Sequence, residues 1–276
     1  MSALSGRKGA ALLVLFFCLL LMNGCKSYKA QQDELTDTAE RGTIHISADE
    51  SFKPVIDEQV QVYEALYPGT HIVVHYKPEA ECLKDFYVDS IRMVIATRSF
   101  SKSEERFMSD SLKTGPEMLR VALDAIAVVL HPQSPDSVLS MQDVRAILTG
   151  RFSKTLIPVF DGTQATSTVR FIVDSVLHGD TLTAATVGAR SSREVIDYVA
   201  SHPNAVGFVG VSWIGNREDT MQVSFLKKVK IAYLESREKP GKYILPVQEN
   251  IYLDRYPMVR DLVYNLKENF KGLGHG

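Results

Sequence analysis

Cysteine is scarce in this chain: three in 276 residues, at Cys18, Cys25 and Cys82. The first two belong to an apolar N-terminal run and its end, which leaves Cys82 alone in the remainder. A disulfide framework is therefore excluded, and stability must come from a packed core. An excess of basic charge is also missing. With 31 Lys and Arg against 33 Asp and Glu, the net charge is -2, which argues against a nucleic-acid partner. No Cys-x-x-Cys, Gly-x-Ser-x-Gly elbow or glycine-rich nucleotide loop occurs, so metal-assisted, acyl-transfer and phosphoryl-transfer chemistry lack their usual motifs. His71 and His75 have His-x-x-x-His spacing, but on a strand four residues span roughly 13 Å, too far for one metal. These two and His45 read as exposed or hydrogen-bonded. No metal, cofactor or catalysis is expected, and the chain shows neither an internal repeat nor a low-complexity segment.

What is present begins with Arg7 and Lys8, an apolar run from Gly9 to Met22, and Met22-Asn23-Gly24-Cys25. Basic, apolar and small residues in that order read as an export signal. The run is shorter than the roughly 20 residues of a membrane span. The end of the run resembles a bacterial lipoprotein lipobox, with Met22 where Leu is usual. That resemblance implies a signal peptide over 1–24 and lipidation of Cys25, anchoring the chain to a membrane of the cell envelope and facing the periplasm or exterior. Residues 25–41 are polar and poor in large apolar side chains, which suits a solvated tether.

From Gly42 onward, short apolar stretches alternate with helical spacing. Thr43–Ser47, His71–Tyr76 and Ile91–Ala96 read as strands, and Phe52 to Tyr67 as a helix stopped by Pro68-Gly69. Ser101 with Glu104, and Ser140 with Asp143, predict N-capped helices. Val121–Leu130 is nearly continuous in apolar residues, as in a strand buried on both faces, interrupted only by Asp124. Thr168–Leu177 and the stretch after Ser192 are helical in pattern, and Ala205–Val211 is a glycine-containing strand. This rhythm predicts an α/β fold with crossover connections.

Four segments in order carry a resemblance to a known family: Leu123 to Pro132, Leu139 to Gly150, Asn204 to Gly210, and Tyr256-Pro257-Met258. They resemble the phosphate-binding proteins of ABC importers, over roughly Thr43 to the C-terminus. The fold implied is the type II periplasmic-binding-protein fold: two α/β lobes with mixed sheets, flanking helices and two hinge crossover strands. One lobe is expected over 42–122 with 229–276, the other over 123–228. The resemblance also implies a helix after Gly272-Leu273-Gly274 and, without it, exposed apolar surface on the first lobe.

Three loops are expected to supply the ligand site. In Ser47-Ala48-Asp49-Glu50-Ser51, Ser51 and, second to it, Ser47 carry over as phosphate-binding hydroxyls. Asp49 and Glu50 depart from the family; they would repel a dianion unless one accepts its proton, and Asp49 or Ser51 can equally serve as a helix cap. In Ala96-Thr97-Arg98, Arg98 offers a guanidinium fork for two anion oxygens, with pairing to an acid such as Glu50 as the alternative. In Asp161 to Arg170, Thr166, Ser167 and Thr168 carry over by position, while Asp161 and Gly162 stand where the family has an arginine. Arg170 lies downstream with its orientation open. Asp124 is a further candidate near the ligand, or a hydrogen-bonded hinge residue. The implied function is capture of phosphate or a similar oxyanion by a monomer that delivers it to an ABC permease and ATPase. The alternative is an envelope lipoprotein that keeps the fold for sensing or scaffolding.

Overall fold

The computed structural model describes residues 37–112, 116–162, 164, 166–267 and 272–276. The expected signal over 1–24, Cys25, most of the tether and Thr163 lie outside the described residues. Among the described residues no helix is long and apolar enough to cross a membrane. The chain is fixed in place earlier than the expected end of the tether at 41, because buried Asp37 accepts a hydrogen bond from the backbone of Leu273 at 2.7 Å and pairs with Arg92.

Strand β1 (Arg41–Asp49) passes through a 3-10 turn (Glu50–Phe52) into α1 (Lys53–Leu66). Then come β2 (Gly69–Lys77), α2 (Glu79–Asp85), β3 (Ile91–Ala96) and α3 (Lys102–Leu112). The long β4 (Glu117–Leu130) leads to β5 (Val138–Leu139), α4 (Met141–Leu148), β6 (Ile157–Phe160) and α5 (Ser167–Ile172), which continues as a π-helical turn (Val173–Leu177). After β7 (Val187–Gly188) follow α6 (Ser192–Ser201), β8 (Ala205–Gly210), α7 (Thr220–Lys228), β9 (Lys230–Ile231), β10 (Tyr233–Glu235), β11 (Tyr243–Ile244), α8 (Gln248–Tyr252) and β12 (Val259–Leu266). Both predicted capping boxes form, Ser101 with Glu104 and Ser140 with Asp143.

The strands order as β2-β1-β3-β12-β4-β8-β6-β7, with a small separate sheet β11-β10-β5. The β1 to β3 pairings are parallel, and β12 runs antiparallel to both β3 and β4. The first part of β4 pairs with β12 and its last five residues with β8. One strand thus belongs to both halves of the molecule. Alternation along the strands builds a core on each face: on β3, Met93 and Ile95 meet α1, whereas Val94 and Ala96 meet Cys82, Phe86 and Met108. On β4, Ile126, Val128 and Leu130 face one core of the second lobe and Ala127 and Val129 the other. The expected two-lobed mixed α/β architecture is what the chain adopts.

Two boundaries differ from expectation. The second lobe does not end at 228: Ala232, Leu234, Ile244, Ile251, Tyr256 and Met258 share a core with Ile126, Val128 and Leu130. The cause is β10, which pairs with β5 and buries Leu234 beside Leu139. Only from β12 does the chain rejoin the first lobe. In addition, β4 is buried on both faces only from Asp124 onward; ahead of it, Leu119 is 60% exposed and Val121 and Leu123 are also exposed.

Gly207 on β8 is fixed by packing. A Cβ there would lie 2.7 to 2.8 Å from Val129, Val195 and Val199, all fully buried. Gly207→Ala is therefore expected to cost about 1–3 kcal/mol through overpacking, measurable as a lower midpoint in thermal or urea unfolding.

Candidate functional site

Arg260 lies on β12 directly opposite Asp124 on β4 in the antiparallel ladder. Arg260 shares a face of β12 with Leu262 and Leu266 of the first lobe's core, and it is only 6% exposed. Its Nε donates to Asp124 Oδ2 at 2.7 Å, Nη1 to Ser167 Oγ at 2.9 Å and Nη2 to Ser51 Oγ at 3.0 Å. The guanidinium also stands over the Phe52 ring, 5.2 Å from its centre. Ser51 follows β1 in the first lobe and Ser167 opens α5 in the second. Their hydroxyl oxygens are 3.4 Å apart. Gly210 makes room for this: a Cβ there would meet Arg260 Nη2 at 2.9 Å and the Ser51 carbonyl at 3.0 Å.

Carboxylates surround this one cation. Besides Asp124, buried Asp49 accepts from the Ser51 backbone N–H through Oδ1, while its Oδ2 has no hydrogen-bond partner among the described residues. Asp161 Oδ2 lies 3.5 Å from both Thr168 Oγ1 and Ser192 Oγ, and its Oδ1 likewise has no partner among the described residues. Glu50 Oε2 accepts from Ser192 Oγ at 2.9 Å and from the Ser192 N–H at 3.3 Å. Burial pushes the Asp49 carboxyl up to about 7 against the pull of Arg260, and pushes Glu50 to about 7 against its bonds from Ser192. Burial raises Asp161 as well. Burial opposes the charge on Arg260, but Asp124 and Asp49 outweigh it and hold the proton more firmly than in water.

The expected residues divide. Ser51, Ser167 and Asp124 come together on Arg260. Thr168 faces Asp161, and Thr166 caps α5 by accepting from the Val169 N–H at 3.3 Å. Ser47 does not join them: it has the opposite strand parity to Ile46 and Ala48, and its hydroxyl donates to Asp85 at 2.7 Å on the far face of the sheet. Arg98 does not join them either. Its guanidinium makes a two-pronged pair with Glu104 at 2.9 and 3.0 Å, the acid of the α3 capping box. Arg98 lines a cavity of about 660 Å³ at the lobe boundary together with Glu79, Thr166 and Arg170, and Ser51, Ser167 and Arg260 do not line it. The guanidinium that meets Ser51 and Ser167 is that of Arg260 rather than Arg98.

A second contact between the lobes borders that cavity. Arg170 Nε donates to Glu79 Oε2 at 2.6 Å and its Nη2 to Thr97 Oγ1 at 2.6 Å, while the Thr97 N–H donates to Glu79 Oε1 at 2.8 Å. Arg170, left open by the sequence, faces the cleft. His45 and His75, on neighbouring strands, are hydrogen-bonded to each other at 3.0 Å.

Two outcomes follow from this charge arrangement. Asp49 and Glu50 hold their protons more tightly folded than unfolded, so the stability they confer is complete below their ordinary titration range and is lost as pH rises through about 7. The unfolding midpoint is expected to fall between about pH 5 and pH 8, and Asp49→Asn to flatten that slope. Arg260→Met leaves Asp124 buried without its partner and is expected to cost about 3–5 kcal/mol in chemical denaturation.

This geometry has relatives. The phosphate-binding protein PstS of Pseudomonas aeruginosa is 21% identical over 218 residues, covering 71% of this chain and 67% of that protein. Among solved structures, a Clostridium perfringens substrate-binding protein assigned to phosphate ABC transport, with bound phosphate, superposes with a TM-score of 0.67 at 17% identity, over 85% of this chain and 90% of its own. An ABC-type phosphate transport receptor from Vibrio cholerae gives 0.57 at 17% identity, over 82% and 88%. At such identities the structures establish the fold. The family model described as the PBP superfamily domain matches residues 34–272, and this chain belongs to that family.

Proposed function

We propose that this chain is an extracytoplasmic binding protein that captures inorganic phosphate, or an oxyanion of the same shape and protonation, for an ABC importer. The observation that carries this reading is the convergence of Ser51 from one lobe and Ser167 from the other on the single guanidinium of Arg260. A planar cation with two neutral hydroxyls matches the oxygens of a tetrahedral anion. Because the hydroxyls are 3.4 Å apart in this conformation, the lobes must part to admit the ion. The relative from Pseudomonas aeruginosa named for phosphate binding supports the choice of ligand.

The acids refine it. When ionised, Asp49 Oδ2 and Asp161 Oδ1 are buried acceptors with no donor among the described residues, and leaving such groups unpaired is costly. A phosphate that still carries a proton supplies one; sulfate at neutral pH does not. The unpaired acceptors therefore favour the protonated ion over the bare one. The reading assigns binding and no catalysis. It also assigns lipidation to Cys25, which would tether the binding lobes to the envelope membrane.

Phosphate is expected to raise the thermal midpoint of the purified protein, by about 2.7 kcal/mol of added stability at a hundredfold excess over Kd, with sulfate giving little or no rise. Ser167→Ala should abolish most of the effect. Arg98→Ala, whose guanidinium is engaged by Glu104, should leave it intact. The absence of any shift with phosphate, or its loss in Arg98→Ala and retention in Ser167→Ala, overturns the reading.

A further inference from the structure

Helix α6 is already capped by its own residue: Ser191 Oγ accepts from the Glu194 N–H at 3.3 Å. The backbone N–H and the hydroxyl of Ser192, next in the chain, are left over as donors at the positive end of a ten-residue helix. Both are taken by one oxygen of Glu50, a residue of the opposite lobe 142 positions earlier. Ser192 is fully buried and its hydroxyl also lies 3.5 Å from Asp161, beside the Arg260 cluster. A carboxylate from the first lobe therefore stands where donors of the second lobe would meet an incoming anion.

The position is a costly one for that carboxylate. Asp161 faces it with like charge, Lys53 on its own lobe offsets this only partly, and burial raises its proton affinity. A group held against such opposition is one that another acceptor can displace. Other ties between the lobes, among them Arg170 to Glu79 and Thr97, Ser212 Oγ to the Ser51 carbonyl at 2.6 Å and Asn216 Nδ2 to Glu58 at 3.3 Å, do not use these donors.

We infer that Glu50 is a built-in competitor for the binding site: its carboxylate occupies the Ser192 donors at the start of α6 and must leave them when an external oxyanion binds. The inference rests on the oxyanion reading for its ligand, and on the Glu50 to Ser192 contact alone for the competition. Glu50 then sets how tightly the protein holds its ligand. If the donors are free in about one molecule in ten, the apparent affinity is about tenfold weaker than the intrinsic one.

The test compares the wild type with Glu50→Ala by calorimetric titration with inorganic phosphate, and by thermal unfolding with added sodium acetate, whose carboxylate stands in for the one removed. Phosphate should bind Glu50→Ala about tenfold more tightly than the wild type, and acetate should raise the midpoint of the variant and not that of the wild type. Phosphate binding by the wild type that is equal or weaker in Glu50→Ala overturns the competitor while leaving the phosphate reading in place. If neither protein binds phosphate, rescue of the variant by acetate upholds the anion-accepting donors and removes phosphate as the ligand; no rescue removes both. Should Glu50→Ala fail to fold, Glu50→Gln, which keeps the size and loses the charge, carries the same comparison with a smaller gain in affinity expected.

Discussion

Taking a guanidinium out of water costs several kcal/mol even after a protein relaxes around it, and the cost is met only when its donors and charge are satisfied in place. Arg260 is satisfied by residues from separate parts of the chain. Asp124 faces it across the β4 and β12 pairing, Ser51 reaches it from the turn after β1, and Ser167 from the start of α5. These groups can meet only when both crossing strands are in register and both lobes are in contact. The placement of one side chain thus specifies the relative position of the two halves, and with it the shape of the cleft.

The excess of carboxyl groups around that cation gives the site its chemical character. An interior with one fixed positive charge and Asp49, Glu50, Asp124 and Asp161 close by cannot keep every acid ionised. Burial raises the proton affinity of Asp49, Glu50 and Asp161, the first two to about 7.

Much of the architecture was legible in the residues. The β3 strand lies where Ile91–Ala96 alternates, and the helices after Ser101 and Ser140 begin where a serine and an acid three positions on close a capping box. These are local signals, and local interactions decided them. The site was less legible. Ser51 and Ser167 were expected by position from the resemblance to phosphate-binding proteins, and Asp124 as a lone acid in an apolar strand where that family also has one; the fold brings all three onto Arg260. Arg98 was expected because it follows β3 where the resembled family places a cleft residue, yet Glu104, which caps α3, pairs with it. The signal for Arg260 was its parity with Leu262 in a strand that is otherwise apolar on its inner side. The lobe boundary failed for a related reason: β10 and β11 are three and two residues long, too short to show a period, and pairing with a distant strand is what makes them structural.

The path of the chain through the two lobes has a bearing on how the molecule comes to be made. The second lobe is drawn from one continuous stretch ending at Met258, whereas the first begins at Asp37 and lacks an interior strand until β12 arrives near the C-terminus. During synthesis and export, then, the strands that emerge first must wait for β12, because β3 and β4 are joined only through it. The earliest strands are the last to be sealed, and Arg260 arrives on the strand that seals them.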